Sequence, residues 1–222
     1  MSVKNLIRWS GFSLILAGVM LTLGTIVHPS NEMPATIINL ESRLVGGHWL
    51  LTFFAAFFML GLPGVYASHA KEFGRVGFAS VLLLLFGTLF YATSSDYGFN
   101  APVLAKLAPQ TLAAINAYPP VAVMDGLFVI FLTMGFILFG ATLLRSHLFS
   151  PWLAILILAG WPVFMIASAI ALEVYEPIFY ISILGAACLG VGLAGIGVST
   201  WRNNFIPEPL SAQPEGTLQP NG

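Results

Sequence analysis

Six long apolar windows, nearly empty of Lys, Arg, Asp and Glu, constrain this chain more than any other feature. They lie at about 7–27, 44–67, 76–94, 121–144, 151–172 and 178–200. A helix rises 1.5 Å per residue, so about 20 such residues cross a hydrocarbon core of about 30 Å. The windows are apolar all round, whereas barrel strands alternate apolar and polar residues. The expected fold class is therefore all-α, a polytopic six-transmembrane-helix bundle. Composition agrees: 8% of the 222 residues are charged, against roughly 25% in a soluble domain.

The bundle is expected to occupy residues 1–202. Residues 203–222 are rich in Pro, Gln, Glu and Gly, too polar to pack, and are read as a disordered tail. Lys4 and Arg8 precede the first window in the manner of a secretory signal. That window ends in Thr25-Ile26-Val27-His28-Pro29 with no small-x-small cleavage pattern, so it is read as a retained anchor. With the N-terminus inside, the cytoplasmic segments hold Lys4, Arg8, Lys71, Arg75, Arg145 and Arg202, and the outer loops only Arg43 and Lys106. This positive-inside pattern places both termini in the cytoplasm. Glu32, Glu41, Asp96, Glu173 and Glu176 then fall outside. The short inner loops predict that spans 2–3 and 4–5 are antiparallel neighbours. Each longer outer loop contains one stretch suited to a short surface helix, Pro34–Ser42 and Pro109–Tyr118, because Pro is favoured at a first helical position.

Several functions are excluded. Eight basic against nine acidic residues leave no positive field for nucleic acid. A single cysteine, Cys188, precludes a disulfide framework or a cysteine-based zinc site. No phosphate-binding glycine loop occurs.

Small residues mark close helix contacts in lipid. Ser182, Ala186, Gly190 and Ala194 form one stripe at i, i+4 spacing, a seat for a partner helix or a membrane partner protein. Gly11, Gly18, Thr22 and Thr25 share a face of the first span that leads to His28, directing His28 into the bundle. Pro162, mid-span, removes a backbone hydrogen bond and is expected to kink its helix.

Ionisable groups are costly in a membrane and mark candidate sites. His48 and Asp125 each lie five residues inside the start of an inward-running span, about 7 Å deep at 1.5 Å per residue. His28 and Glu173 close their spans near the same level, with Tyr91, Asp96 and Tyr97 close by. Three readings of this layer are open. His48 and Asp125, with Glu173, suit acid–base catalysis on a lipid or isoprenoid, a lipid-soluble small molecule. His28, His48 and Asp125 suit a divalent metal, and His28 with His48 suits bis-histidine ligation of haem b. The plainest reading is structural: His48 hydrogen-bonds Asp125 and joins two helices, as in an accessory or ligand-binding membrane protein. His69 and His147 form a second pair at the inner helix ends, read as exposed in loops.

His28-Pro29 at the end of the first span, His48-Trp49 in the second, and Arg145-Ser146 leading to Pro151-Trp152 resemble a broad group of small bacterial six-helix membrane proteins of uncharacterised function. The resemblance covers residues 1–202. It implies six helices and the bacterial inner membrane, and it implies no reaction.

Overall fold

The computed structural model describes residues 2–95, 97–173 and 176–202. In chain order the helices are α1 (Val3–Val27), α2 (Pro34–Asn39), α3 (Glu41–Ser68), α4 (Ala70–Ser95), α5 (Tyr97–Leu107), α6 (Pro109–Asn116), α7 (Pro119–Ser146), α8 (Pro151–Glu173) and α9 (Phe179–Arg202). A 3₁₀ turn, Glu176–Ile178, precedes α9, and no strand occurs among the described residues. Six helices are long and apolar enough to cross a membrane, so the chain has the build of a multi-pass membrane protein. Large apolar side chains also coat the outside: Leu60, Ile166, Leu184 and Val191 are all exposed, a surface that suits lipid rather than water.

The bundle centres on α1, which packs along both α3 and α9, while α8 packs along α9 and α4 along α7. The pairs joined by short loops, α3 with α4 and α7 with α8, do touch, but their contact is less extensive. The core is dominated by Phe54, Phe58, Phe136, Phe139 and Trp161, all essentially buried. The Trp161 indole donates to Thr133 Oγ1 at 2.9 Å, which satisfies its one polar atom.

The stripe on α9 is occupied from within the chain. A Cβ on Gly190 would lie 2.5 Å from Gly18 O, and one on Gly18 would lie 2.2 Å from Gly190 O. Gly11 meets Gly197 in the same way. These contacts bring the backbones of α1 and α9 together, as small residues permit. At Gly190 and Ala194 the helix that lies on the expected stripe of Ser182, Ala186, Gly190 and Ala194 is α1, from the same chain.

Both surface helices form where expected, at α2 and α6, each with Pro in its first turn. A third, α5, was not anticipated. Together they make a cap over one end of the bundle, with its own small core of Ile37, Leu44, Ala101, Ala105 and Leu112. Lys106 pairs with Glu41, and the Asn116 amide donates to the Tyr97 hydroxyl at 3.2 Å. The cap matters because it closes over His48.

Candidate metal centre

The site begins where α1 ends. Proline disfavours helical backbone in the residue before it, and His28, preceding Pro29, is extended (φ −59°, ψ 140°). The chain therefore turns out of α1 at His28. Arg43 fixes this end: its Nε donates to Val27 O at 3.0 Å and its Nη2 to Ile26 O at 3.4 Å, carbonyls otherwise orphaned at a helix C-terminus. Asn31 Oδ1 accepts from Met33 N–H at 3.2 Å, a local turn around Glu32. On α3, a Cβ on Gly47 would lie 3.0 Å from His28 Cα. Only glycine lets α3 come so close, and this brings the next residue, His48, to the His28 ring.

Three ligand atoms converge there. His28 Nε2 lies 3.2 Å from His48 Nε2 and 3.2 Å from Glu32 Oε1. His48 Nε2 lies 3.8 Å from the same carboxylate oxygen. Among the described residues, this is the one group of three or more His, Cys, Asp or Glu side chains with ligand atoms gathered this closely. His48 is buried, and the side chains of His28 and Glu32 are 15% and 27% exposed.

The surroundings prepare the group. His28 Nδ1 lies 2.8 Å from Pro29 O. A carbonyl only accepts, so Nδ1 carries a proton, and Nε2 is the nitrogen turned towards Glu32 and His48. A metal-binding histidine usually has this kind of support on its second nitrogen. His48 is backed by the cap: a Cβ on Gly98 would lie 2.0 Å from its Cδ2, and Phe99 meets its ring edge-on. His48 Nδ1 is buried without a partner. Burial alone would raise the Glu32 carboxyl, but hydrogen bonds and charge from His28 and His48 reverse this and lower it to about 2. Glu32 is therefore a carboxylate at any physiological pH.

Three electron-pair-bearing atoms in one small triangle repel unless something positive lies among them. A proton can serve, and so can a metal ion. In a tetrahedral site with bonds of about 2.1 Å, ligand atoms lie about 3.4 Å apart; the three spacings here average about that value. Beside the group lies a cleft of about 120 Å³, lined by His28 and Glu32 and by Leu51, Phe164, Ser168 and Phe179. An axial haem pair must face each other across a porphyrin. Here nitrogen meets nitrogen at 3.2 Å, with Glu32 in the same space.

The sequence residues are thus partly reassorted. His28 and His48 come together as expected, and Thr25 on the small-residue face of α1 is buried just below them. Asp125 is not part of the group: it is half-buried on α7, and Gly98 and Phe99 of α5 occupy the flank of His48. The carboxylate gathered with the two histidines is that of Glu32. The Glu173 side chain and Asp96 lie outside the described residues. Tyr91 packs on Phe54 and Phe128, and Tyr97 belongs to the cap. Glu32 was read only as an outer-loop acid. The signal for it was present: a carboxylate four residues after His28, across a proline turn.

His69, expected to be exposed, is instead buried. Its ring stacks on Phe73 and tilts against Phe149, and Nδ1 lies 3.1 Å from Val65 O. His147 is exposed. Comparison with family models, curated proteins and solved structures finds no match to this chain.

Proposed function

We propose that this chain is a metal-binding protein of a bacterial inner membrane, holding one divalent transition ion at His28, Glu32 and His48. The observation that carries this reading is the convergence of two imidazole nitrogens and a carboxylate oxygen at tetrahedral spacing, beside an apolar cleft. Two histidines and a glutamate are a ligand set that zinc uses in catalytic sites. An ion there would supply Lewis acidity to a carbonyl or phosphoryl group. The chain's own residues do the rest. Pro29 O and the cap orient the imidazoles, Glu32 supplies negative charge, and Leu51, Phe164 and Phe179 exclude water beside the open position. The substrate would enter from the lipid phase. By the charge rule, the site lies at the outer face.

A second reading is favoured by the direct contact of His28 with His48: the cluster only ties α1 to α3, as in an accessory subunit. One experiment separates the two. The detergent-purified protein is analysed for zinc, iron and copper and its visible spectrum recorded, alongside Glu32→Ala and His48→Ala. The metal reading expects one equivalent of ion in the wild type and little in either variant. A wild type that takes up no metal after incubation with zinc, yet melts at lower temperature in both variants, overturns it in favour of the structural tie. A Soret band would return haem to consideration.

A further inference from the structure

Two cavities lie beside His28 of the candidate metal centre. The apolar cleft of about 120 Å³ is the first. The second, about 420 Å³, is bounded by Ile26, Leu40, Arg43 and Tyr180. His28, Ser30 and Phe179 line both, so the two lie on either side of one short segment. Their character differs. The first has the volume of about four waters, enough for a few methylenes, and is walled by Leu51, Phe164 and Phe179. The second holds Arg43, the one Lys or Arg among the described residues lining either cavity.

Arg43 is held in place by its bonds to Ile26 O and Val27 O. A guanidinium has five N–H donors, and those bonds use two. We infer that the two adjacent cavities together bind a single-chain amphiphile with an anionic head. Arg43 receives the carboxylate or phosphate oxygens, the apolar cleft receives the first few methylenes of the chain, and the bonds between them pass beside His28. A fork of N–H donors suits planar or tetrahedral oxyanions, and the apolar walls suit a chain drawn from lipid. This deepens the proposed function by naming its substrate class. The binding itself does not require the ion.

The test uses zinc-stripped full-length protein in maltoside detergent, so that no anion can bind through metal. Displacement of a fluorescent fatty acid is measured with dodecanoate, dodecyl phosphate, dodecanol, acetate and inorganic phosphate. A charge-assisted contact contributes about 1.5–3 kcal/mol, or about 10–100-fold in affinity. Both long-chain anions should therefore displace the probe at least about tenfold better than dodecanol, and acetate and phosphate should not displace it. The better of the two long-chain anions identifies the head. Arg43→Gln should abolish the preference and leave dodecanol unchanged. Equal affinity for anion and alcohol, or a preference that survives Arg43→Gln, overturns the inference, as does tight binding of the chain-free anions. If Arg43→Gln fails to fold, the wild type still decides: a preference held by an exposed arginine must shrink with salt, and an unchanged one counts against it. Zinc content is measured separately. Protein that selects anions but takes up no zinc keeps this inference and removes the metal reading; zinc uptake without selection does the reverse.

Discussion

Both ends of this bundle carry two histidines, and only one end assembles them. At the capped end His28 and His48 point their Nε2 atoms at each other and at Glu32, beside a cleft. At the opposite end His69 is buried between Phe73 and Phe149 with Nδ1 on Val65 O and Ser68 Oγ, while His147 turns outward. His69 behaves as a satisfied core residue. The difference lies in what faces the ring nitrogens and faces: carbonyl, hydroxyl and aromatic rings at one end, a carboxylate and a second imidazole at the other. Histidine count says little, and convergence with a charge says a great deal.

The largest expected effect breaks the comparison outright. Support residues around a metal ligand change affinity about 10–100-fold when mutated. Removing a ligand should exceed that, so Glu32→Ala or His48→Ala should weaken zinc binding more than about 100-fold in competition with a chelator. His69→Ala should leave the metal content unchanged. If His69→Ala strips the ion and His48→Ala does not, the two ends have been assigned the wrong way round.

His69→Ala should instead cost stability. It removes a buried ring and its hydrogen bonds, worth about 2–4 kcal/mol by comparison with other core truncations, seen as a lower melting temperature in detergent. The two ends should also differ with pH. Burial lowers the His69 pKa below its usual 6.5, despite the opposing pull of Val65 O and Glu72. The folded state then holds fewer protons than the unfolded one, so stability present above pH 6.5 is lost as pH falls through the lowered value. Glu32 is lowered from 4.5 to about 2. Its contribution is full above pH 4.5 and is lost only as pH falls towards 2. Acid melting curves of His69→Gln and Glu32→Gln should therefore part from the wild type in different windows, His69→Gln at the higher pH.

A gentler change sharpens the comparison at the cap. A side chain on Gly98 would collide with the His48 ring, whereas one on Gly126 meets nothing within 4 Å. Gly98→Val should push His48 off its position and lower zinc affinity about 10–100-fold, as loss of ligand support does. Gly126→Ala should leave zinc affinity unchanged. Equal, small effects would mean that the cap does not position His48.

The spans were legible because hydrophobicity over 20 residues is a local property, and the face of α1 leading to His28 was legible because helical periodicity is local too. The cap was not. Residues 97–107 contain Gly98, Asn100 and Pro102, signals that ordinarily mark a loop, and α5 forms because Ala101 and Ala105 pack against Ile37 and Leu44, a tertiary cause. Asp125 was favoured over Glu32 for the same reason. Depth along a helix can be counted from sequence, but which helices are neighbours cannot, and α5 sits on the flank of His48. The stripe on α9 announced a close contact correctly and was silent on whether the partner belonged to the same chain.

The smallest effect concerns His147, the exposed histidine of the second end. His147 follows α7 with φ 54° and ψ 16°, the left-handed conformation, in which a Cβ crowds the backbone and which glycine adopts at helix C-termini without that strain. His147→Gly should therefore raise stability by about 0.5–1 kcal/mol, a shift of a few degrees in a detergent melt, with zinc content unchanged. A loss of stability would mean that the imidazole makes a contact that outweighs its backbone strain. In that case the second end would have to be treated as a built feature of the fold, and its contrast with the capped end would narrow to the presence of Glu32.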